Sequence, residues 1–556
     1  MKNIFKGILV LSLLCATNVV RPASDCCDTS ADCCTTTSDC NYQYGKTYFH
    51  AREAGTNLPL NMMGSADKMH LFEKECEFYG VFSVAVGYER SRNSCGLGKV
   101  FSFNKSGTTT FAGDQGTSGG AGAININDSS SDARSADFGM SGTHAETLTF
   151  SPKISKVLVN FDLFVGLDEF INGLWARVTA PIVYAKYNLD PCNSVTAEGG
   201  AYYPAGFVAN TASAVKVPYT DVKTAWKTQG AYGEVLASGY GKLPCKSQSK
   251  TRLGNVDIEL GYDLVRNECA RLGVSLLAVA ATGNSPDVCT LFDPIAGTFN
   301  WQFGGSIAGH WVLWNCNDEQ TFTLFGKVNL VHMFRANNQR LFGWGNLGNG
   351  LSAGSSYIQL KKFDSAGAYT GEIERSQNLL ARKIKVGNSF MTDFALMLQY
   401  RRCAFDLSIG YNFWYRSKDS AESCGGCVLS SKKVTANTYG IKGTAAAGDG
   451  TNNTTASLDN TFFQKSTSNI ALSGLAVNAD SDPLPAASNF LDEGDVCQSI
   501  ALAPSAYSNK IFGYLGYNWD SCDYTPYLGI GGMYEWANQN RAADQWGLYI
   551  KGGLSF

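Results

Sequence analysis

Few stretches of this chain carry residues spaced for chemistry. Cys424-Gly425-Gly426-Cys427 has the spacing of a metal knuckle. A structural zinc site needs four ligands, usually two such pairs or a pair with histidines. No second pair stands beside it, and the whole chain has only 5 histidines. The pair is therefore expected to close a loop disulfide, and no metal is expected. Gly304-Gly305-Ser306-Ile307-Ala308-Gly309 precedes His310. It lies inside an alternating strand, not at the strand-to-helix turn of a nucleophile elbow. His310 reads as one more inward polar residue. Gly345 to Gly354 is rich in glycine but lacks a phosphate-loop lysine. No enzyme and no cofactor is expected.

The chemistry that remains is electrostatic. Asp162, Arg177, Asp257, Glu259, Asp263, Lys327, Asp393, Asp406 and Arg416 sit at alternate positions, opposite apolar side chains on the same segments. Alternation of this kind puts the charges on one face of a strand. If the strands close into a barrel, that face lines a wet, charged lumen. Barrel interiors are polar whether or not they conduct, so the charges alone leave both readings open. Their acidic excess points to a mild cation preference. Net charge is -3 and only 17% of residues are charged, so no nucleic-acid footprint is present.

Cysteine is the other reactive residue type, with 18 in the chain. Cys26, Cys27, Cys33, Cys34 and Cys40 crowd a polar arm without hydrophobic period. Cys76 precedes the first strong strand, and Cys269, Cys316, Cys403 and Cys522 each fall in or beside a different short turn. Cys95, Cys192, Cys245, Cys289, Cys424, Cys427 and Cys497 lie in or next to long connections. Envelope-exposed cysteines favour disulfides. The arm is expected to be stapled to the turn rim or to neighbouring envelope proteins. Free thiols without a linking role are the alternative.

These residues need strands to hold them. Phe78 to Arg90, Leu148 to Val165, Leu174 to Tyr187, Val256 to Leu264 and Leu272 to Ala280 all alternate with period two. Further alternating segments follow at Trp301 to Leu313, Phe322 to Leu330, Phe390 to Tyr400, Phe405 to Tyr415, Ile511 to Trp519 and Tyr524 to Trp536. Connections alternate between very short and very long, with long loops expected at 91–145, 188–252, 336–380 and 417–506. Tyr88, Tyr184, Trp311, Tyr400, Tyr415, Trp519, Trp536 and Trp546 mark strand ends, as interfacial girdles do. The 59 glycines and 14 prolines suit laddered strands joined by turns. At the start, Lys2 and Lys6 precede the apolar run Ile8 to Ala16, which reads as a signal peptide over 1–23. Residues 24–75 are expected to be a cysteine-rich periplasmic arm and pre-barrel segment, and 76–556 a barrel.

The last strand gives the strongest clue. Trp546, Leu548, Ile550, Gly552, Leu554 and Phe556 share one face, and the chain ends on an aromatic residue. This ending resembles the closing strand of bacterial outer-membrane β-barrels. The resemblance implies an all-β, transmembrane antiparallel up-and-down barrel in the outer membrane. Counting strands back from the end gives about 12, with 14 as the alternative. It also implies that Phe556 is an assembly signal read by the barrel-assembly machinery, and that outer-membrane lipid surrounds the barrel. The cysteine usage is similar in style to the cysteine-rich major outer-membrane proteins of chlamydiae. Such a barrel is expected to pass small hydrophilic solutes as a porin does, with other cysteine-rich envelope proteins as partners. The alternative is a surface adhesin, receptor or structural barrel with an occluded lumen.

Overall fold

A computed structural model of the chain describes residues 44–50, 52, 53, 55, 57–64, 79–112, 131–204, 206–211, 213–316, 320–345, 347, 353–422, 432–443, 462–463, 476–477, 490–519, 524–539 and 544–556. Twelve antiparallel strands close into a barrel. They are β1 (Gly80–Ser91), β2 (Lys153–Gly166), β3 (Leu174–Asn188), β4 (Val256–Arg266), β5 (Ala270–Ala280) and β6 (Gln302–Cys316). Next come β7 (Gln320–Leu341), β8 (Ala381–Arg402), β9 (Phe405–Arg416), β10 (Ala506–Asn518), β11 (Thr525–Gln539) and β12 (Gln545–Ser555). Each strand pairs with the next. The barrel closes where β12 meets β1, with Val86 opposite Ile550. Phe556 and Gly80 exchange backbone hydrogen bonds of 2.9 and 3.0 Å at the seam. The expected strand number is correct.

The connections at one end, the turn end, are all short, and the long ones all lie at the other, the loop end, together with the short link 540–544 between β11 and β12. The outward face is apolar through its middle. Ile258, Leu276, Ile307, Ile409 and Ile530 are each about half exposed or more. Such a belt is what bilayer hydrocarbon covers. Among the described residues no helix is long and apolar enough to cross a membrane.

Several boundaries differ from expectation, each for a local reason. The segment Leu148 to Val165 is broken near Pro152. Ala145–Phe150 belongs to a loop sheet, and β2 starts only at Lys153. Proline has no N–H for a ladder. β7 and β8 are 22 residues each and run past the barrel rim, so the loop expected at 336–380 is shorter. Opposite Pro181 the ladder beside β3 is interrupted. Gln248–Leu253 pairs with the loop-end half of β3 and β4 with its turn-end half.

The long connections are not loose. They fold into a head at the loop end. Thr108–Ala112, Ala133–Arg134, Ala145–Phe150 and Pro191–Ala197 make one sheet, and Gln359–Phe363, Tyr369–Arg375 and Tyr439–Ile441 lie in another. Helix Ser94–Phe101 is capped by Asn93, whose Oδ1 accepts from Gly96 N at 2.8 Å. Phe103, Phe138, Trp226 and Tyr357 interlock in its core, with Trp226 and Tyr357 rings 4.9 Å apart.

Residues 44–64 do not lie outside the barrel. They begin against the head, where Gly45 N donates to Ser102 O and Lys46 N to Val100 O at 2.8 Å. They then run down the lumen. Among the described residues their only helix, Leu58–Met62, is a single turn. The pre-barrel segment therefore enters the lumen from the loop end. The expected staple to the turn rim falls on Cys26, Cys27, Cys33, Cys34 and Cys40, which lie outside the described residues.

Candidate functional site

The lumen is the site, and its wall is built by alternation. On β4, Ile258, Leu260 and Tyr262 face outward, while Glu259 and Asp263 are buried within. The same parity turns Asp162 and Arg177 inward on β2 and β3, Lys327 on β7, Asp393 on β8, and Asp406 and Arg416 on β9, all at most 8% exposed. Asp257 is inward and half-buried.

The charges are mostly paired. Arg177 grips Asp162 with two bonds of 2.7 Å. Lys327 Nζ meets both oxygens of Glu259 at 2.5 and 2.8 Å. Arg416 donates to Asp419 at 2.8 Å near the loop end. Asp406, near the turn end, accepts from Gln399 Nε2 at 2.8 Å and Ser408 Oγ at 3.0 Å. Sequence reasoning missed the partners that complete this set. Lys156, Arg271, Lys510, Glu535 and Lys551 are buried in the lumen wall, and Arg271 pairs with Asp263 at 2.5 Å. All have the inward parity, so the signal was present. With these bases counted, the acidic excess disappears, and with it the ground for a cation preference.

Arg52 is the residue that no periodicity could have found. It hangs from the lumen segment and is 3% exposed. Its guanidinium contacts both Asp393 oxygens at 3.1 and 2.9 Å, Glu535 Oε1 at 3.1 Å and Asn412 Oδ1 at 2.9 Å. Trp414 lies beneath it at 5.6 Å. The wall also grips the segment's backbone. Lys156 Nζ donates to Arg52 O at 2.9 Å, Lys551 Nζ to Leu60 O at 2.9 Å, and Arg177 Nη2 to Asn61 O at 3.3 Å. Asn57 Nδ2 reaches Glu89 and Tyr549. Irregular backbone inside a barrel needs such partners, because its own groups are not laddered.

The remaining expected residues fall as follows. His310 is inward and buried beside Phe325, their rings 5.6 Å apart. Cys269, Cys316 and Cys403 are exposed free thiols at three successive turns of the turn end. Cys245, Cys289 and Cys497 are also free, while Cys95 lies in helix Ser94–Phe101 and Cys192 in strand Pro191–Ala197 of the head. Residues 1–43, including the expected signal peptide with Cys26, Cys27, Cys33, Cys34 and Cys40, lie outside the described residues, as do Cys76, Cys424, Cys427 and Cys522.

No protein-family model and no curated protein matches the chain. Among solved structures it is similar to an outer-membrane channel from Pseudomonas putida F1, at 10% identity and TM-score 0.33, over 86% of this chain and 96% of that one. It is also similar to a deltaS2 mutant of the monoaromatic hydrocarbon channel TodX, at 8% identity and TM-score 0.30, over 87% and 90%. The β domain of the Bordetella autotransporter Brka gives 8% identity and TM-score 0.26, over 86% and 100%. With TM-scores below 0.5 these likenesses carry no argument about function, and the barrel stands on its own strand pairing.

Proposed function

We propose that the chain is an outer-membrane channel for small hydrophilic solutes, held shut by residues 44–64. The apolar outer belt and the terminal Phe556 strand support the membrane assignment. The reading rests on one observation. Around the lumen segment the wall is made largely of charged and amide side chains, so a lumen vacated by the segment would be wettable. Passage then requires the segment to swing aside or leave. Phe556 would be the ending read by the barrel-assembly machinery. In an oxidising envelope, Cys269, Cys316 and Cys403 would bond other cysteine-rich envelope proteins by disulfide exchange.

Single-channel recording in a planar bilayer tests this. The intact protein is expected to be mostly closed with brief openings. A variant lacking 46–63 is expected to give steady steps of uniform size. Confirmed insertion of both without any steps would sink the channel. It would favour the second reading, a surface or structural barrel, for which the folded head at the loop end is the supporting observation.

A further inference from the structure

One cavity in the lumen wall is built differently from the rest. It lies toward the loop end, on β4 to β8, and its lining residues bound about 320 Å³ of space, open lumen included. Strand register defines two rows of inward residues here. Asp257, Val279 and Gln302 lie side by side on β4, β5 and β6. In the next row Leu277 and Val331 flank Gly304, and Val331 opposes Met391. Leu277, Val279, Val331 and Met391 are all buried and form an apolar patch facing the lumen. An aliphatic patch has no use in a purely water-filled pore.

The polar side of the cavity is unfinished. Gln302 is 2% exposed, lines the cavity, and its Nε2 has no hydrogen-bond partner among the described residues. Asn329 Oδ1 is likewise buried without a partner. Asp257 lines the same cavity, and none of the ion pairs or hydrogen bonds among the described residues involves its carboxylate. Neighbouring Asp393 is already held by Arg52 and Asn255 by Glu53. Buried groups left unpartnered are costly. The cavity thus offers a carboxylate and an amide oxygen as acceptors, one amide N–H pair as donor, and an aliphatic wall.

We propose that this cavity binds a small amphipathic ammonium solute that also carries a hydroxyl, an amino alcohol. The ammonium sits between Asp257 and Asn329 Oδ1, the hydroxyl oxygen accepts from Gln302 Nε2, and the carbon chain lies on Leu277, Val279 and Val331. The proposal rests on the channel reading for its meaning, since it names the solute class passing that wall. Its binding chemistry does not depend on conduction.

Titration calorimetry on the full-length protein in detergent tests it, with valinol as probe. The comparison ligands are 3-methylbutan-1-ol, which lacks the amine, and 3-methylbutylamine, which lacks the hydroxyl. Valinol is expected to bind most tightly, with the alcohol weaker by about tenfold or more, the loss of a charge-assisted bond. Asp257→Asn should weaken valinol about as much. Gln302→Met should weaken valinol while leaving 3-methylbutylamine unchanged. Equal binding of alcohol and valinol by the unaltered protein would overturn the proposal without any variant. Valinol binding by a protein that never conducts would sink the channel and keep the site. Conduction without amine-dependent binding would sink the site alone.

Discussion

Replacing Arg52 should open the lumen. Arg52→Met keeps the length of the stem and removes the charge. Among the described residues Asp393 would keep only Asn412 Nδ2, at 2.6 Å. Glu535 would fare better, because Ser508, Gln545 and Lys510 remain against it. Breaking a buried pair costs about 3–5 kcal/mol. Water reaching the lumen lowers this, so about 3 kcal/mol is the working figure, or a shift of roughly a hundredfold in the ratio of open to closed lumen. The barrel strands hold their ladders without Arg52, so the change falls on the segment. Open probability in planar bilayers reads it directly, and protease cleavage within 44–64 reads it independently. Arg52→Lys keeps the charge but loses the two-pronged grip on Asp393, and should give an intermediate opening. Asp393→Asn added to Arg52→Met should cost less than the sum of the two single changes, because no unpaired charge is then left. A folded barrel in which Arg52→Met leaves both open probability and cleavage unchanged would refute the reasoning.

Gly261→Val should destabilise the barrel by about 2–4 kcal/mol through overpacking and one lost hydrogen bond. A Cβ there would lie 2.1 Å from the Trp175 ring, which donates to Asp263 at 3.1 Å, and the temperature at which the barrel loses its compact electrophoretic form checks it. The head should be more protease-resistant at about pH 9 than at about pH 7. Burial, with Arg134 and Lys361 nearby, pushes the Lys442 ammonium below its usual 10.5. Over that interval the unfolded head binds the extra proton, so stability rises with pH, and Lys442→Met should flatten the rise.

How much of this was legible in the sequence depends on whether the information was local. A strand's faces are written two residues apart, so β1 to β12 and their inward charges could be read directly. The bases that balance the acids could have been read too. Lys156 stands six residues before Asp162, and Arg271 two before Gly273, on the same face. The head could not. Its strands are mostly two to seven residues long, and their partners lie far off in sequence, as Lys361 does from Gly440. Too few residues alternate there to show a period. The lumen segment was illegible for a different reason. A single helical turn between irregular stretches has neither period; Thr47 to Arg52 reads as a short strand candidate, and nothing local marks Arg52 for the lumen.

The wall and the segment also explain one another. A chain without ladders leaves its carbonyls bare, and inside a barrel those carbonyls must find donors. Lys156, Lys551 and Arg177 supply them, at Arg52 O, at Leu60 O and at Asn61 O. Glu535 has Lys510 against it, whereas the ion pair that Asp393 makes among the described residues is with Arg52, which links the two acids across the wall. Each side is therefore incomplete alone, which fixes the segment without a large apolar interface at its middle. On the proposed reading the same side chains serve both states. They hold the segment when it is in, and face water and solute when it is out. A wall built only to be packed could have been apolar. Charges that need a movable partner are what a reversible closure requires.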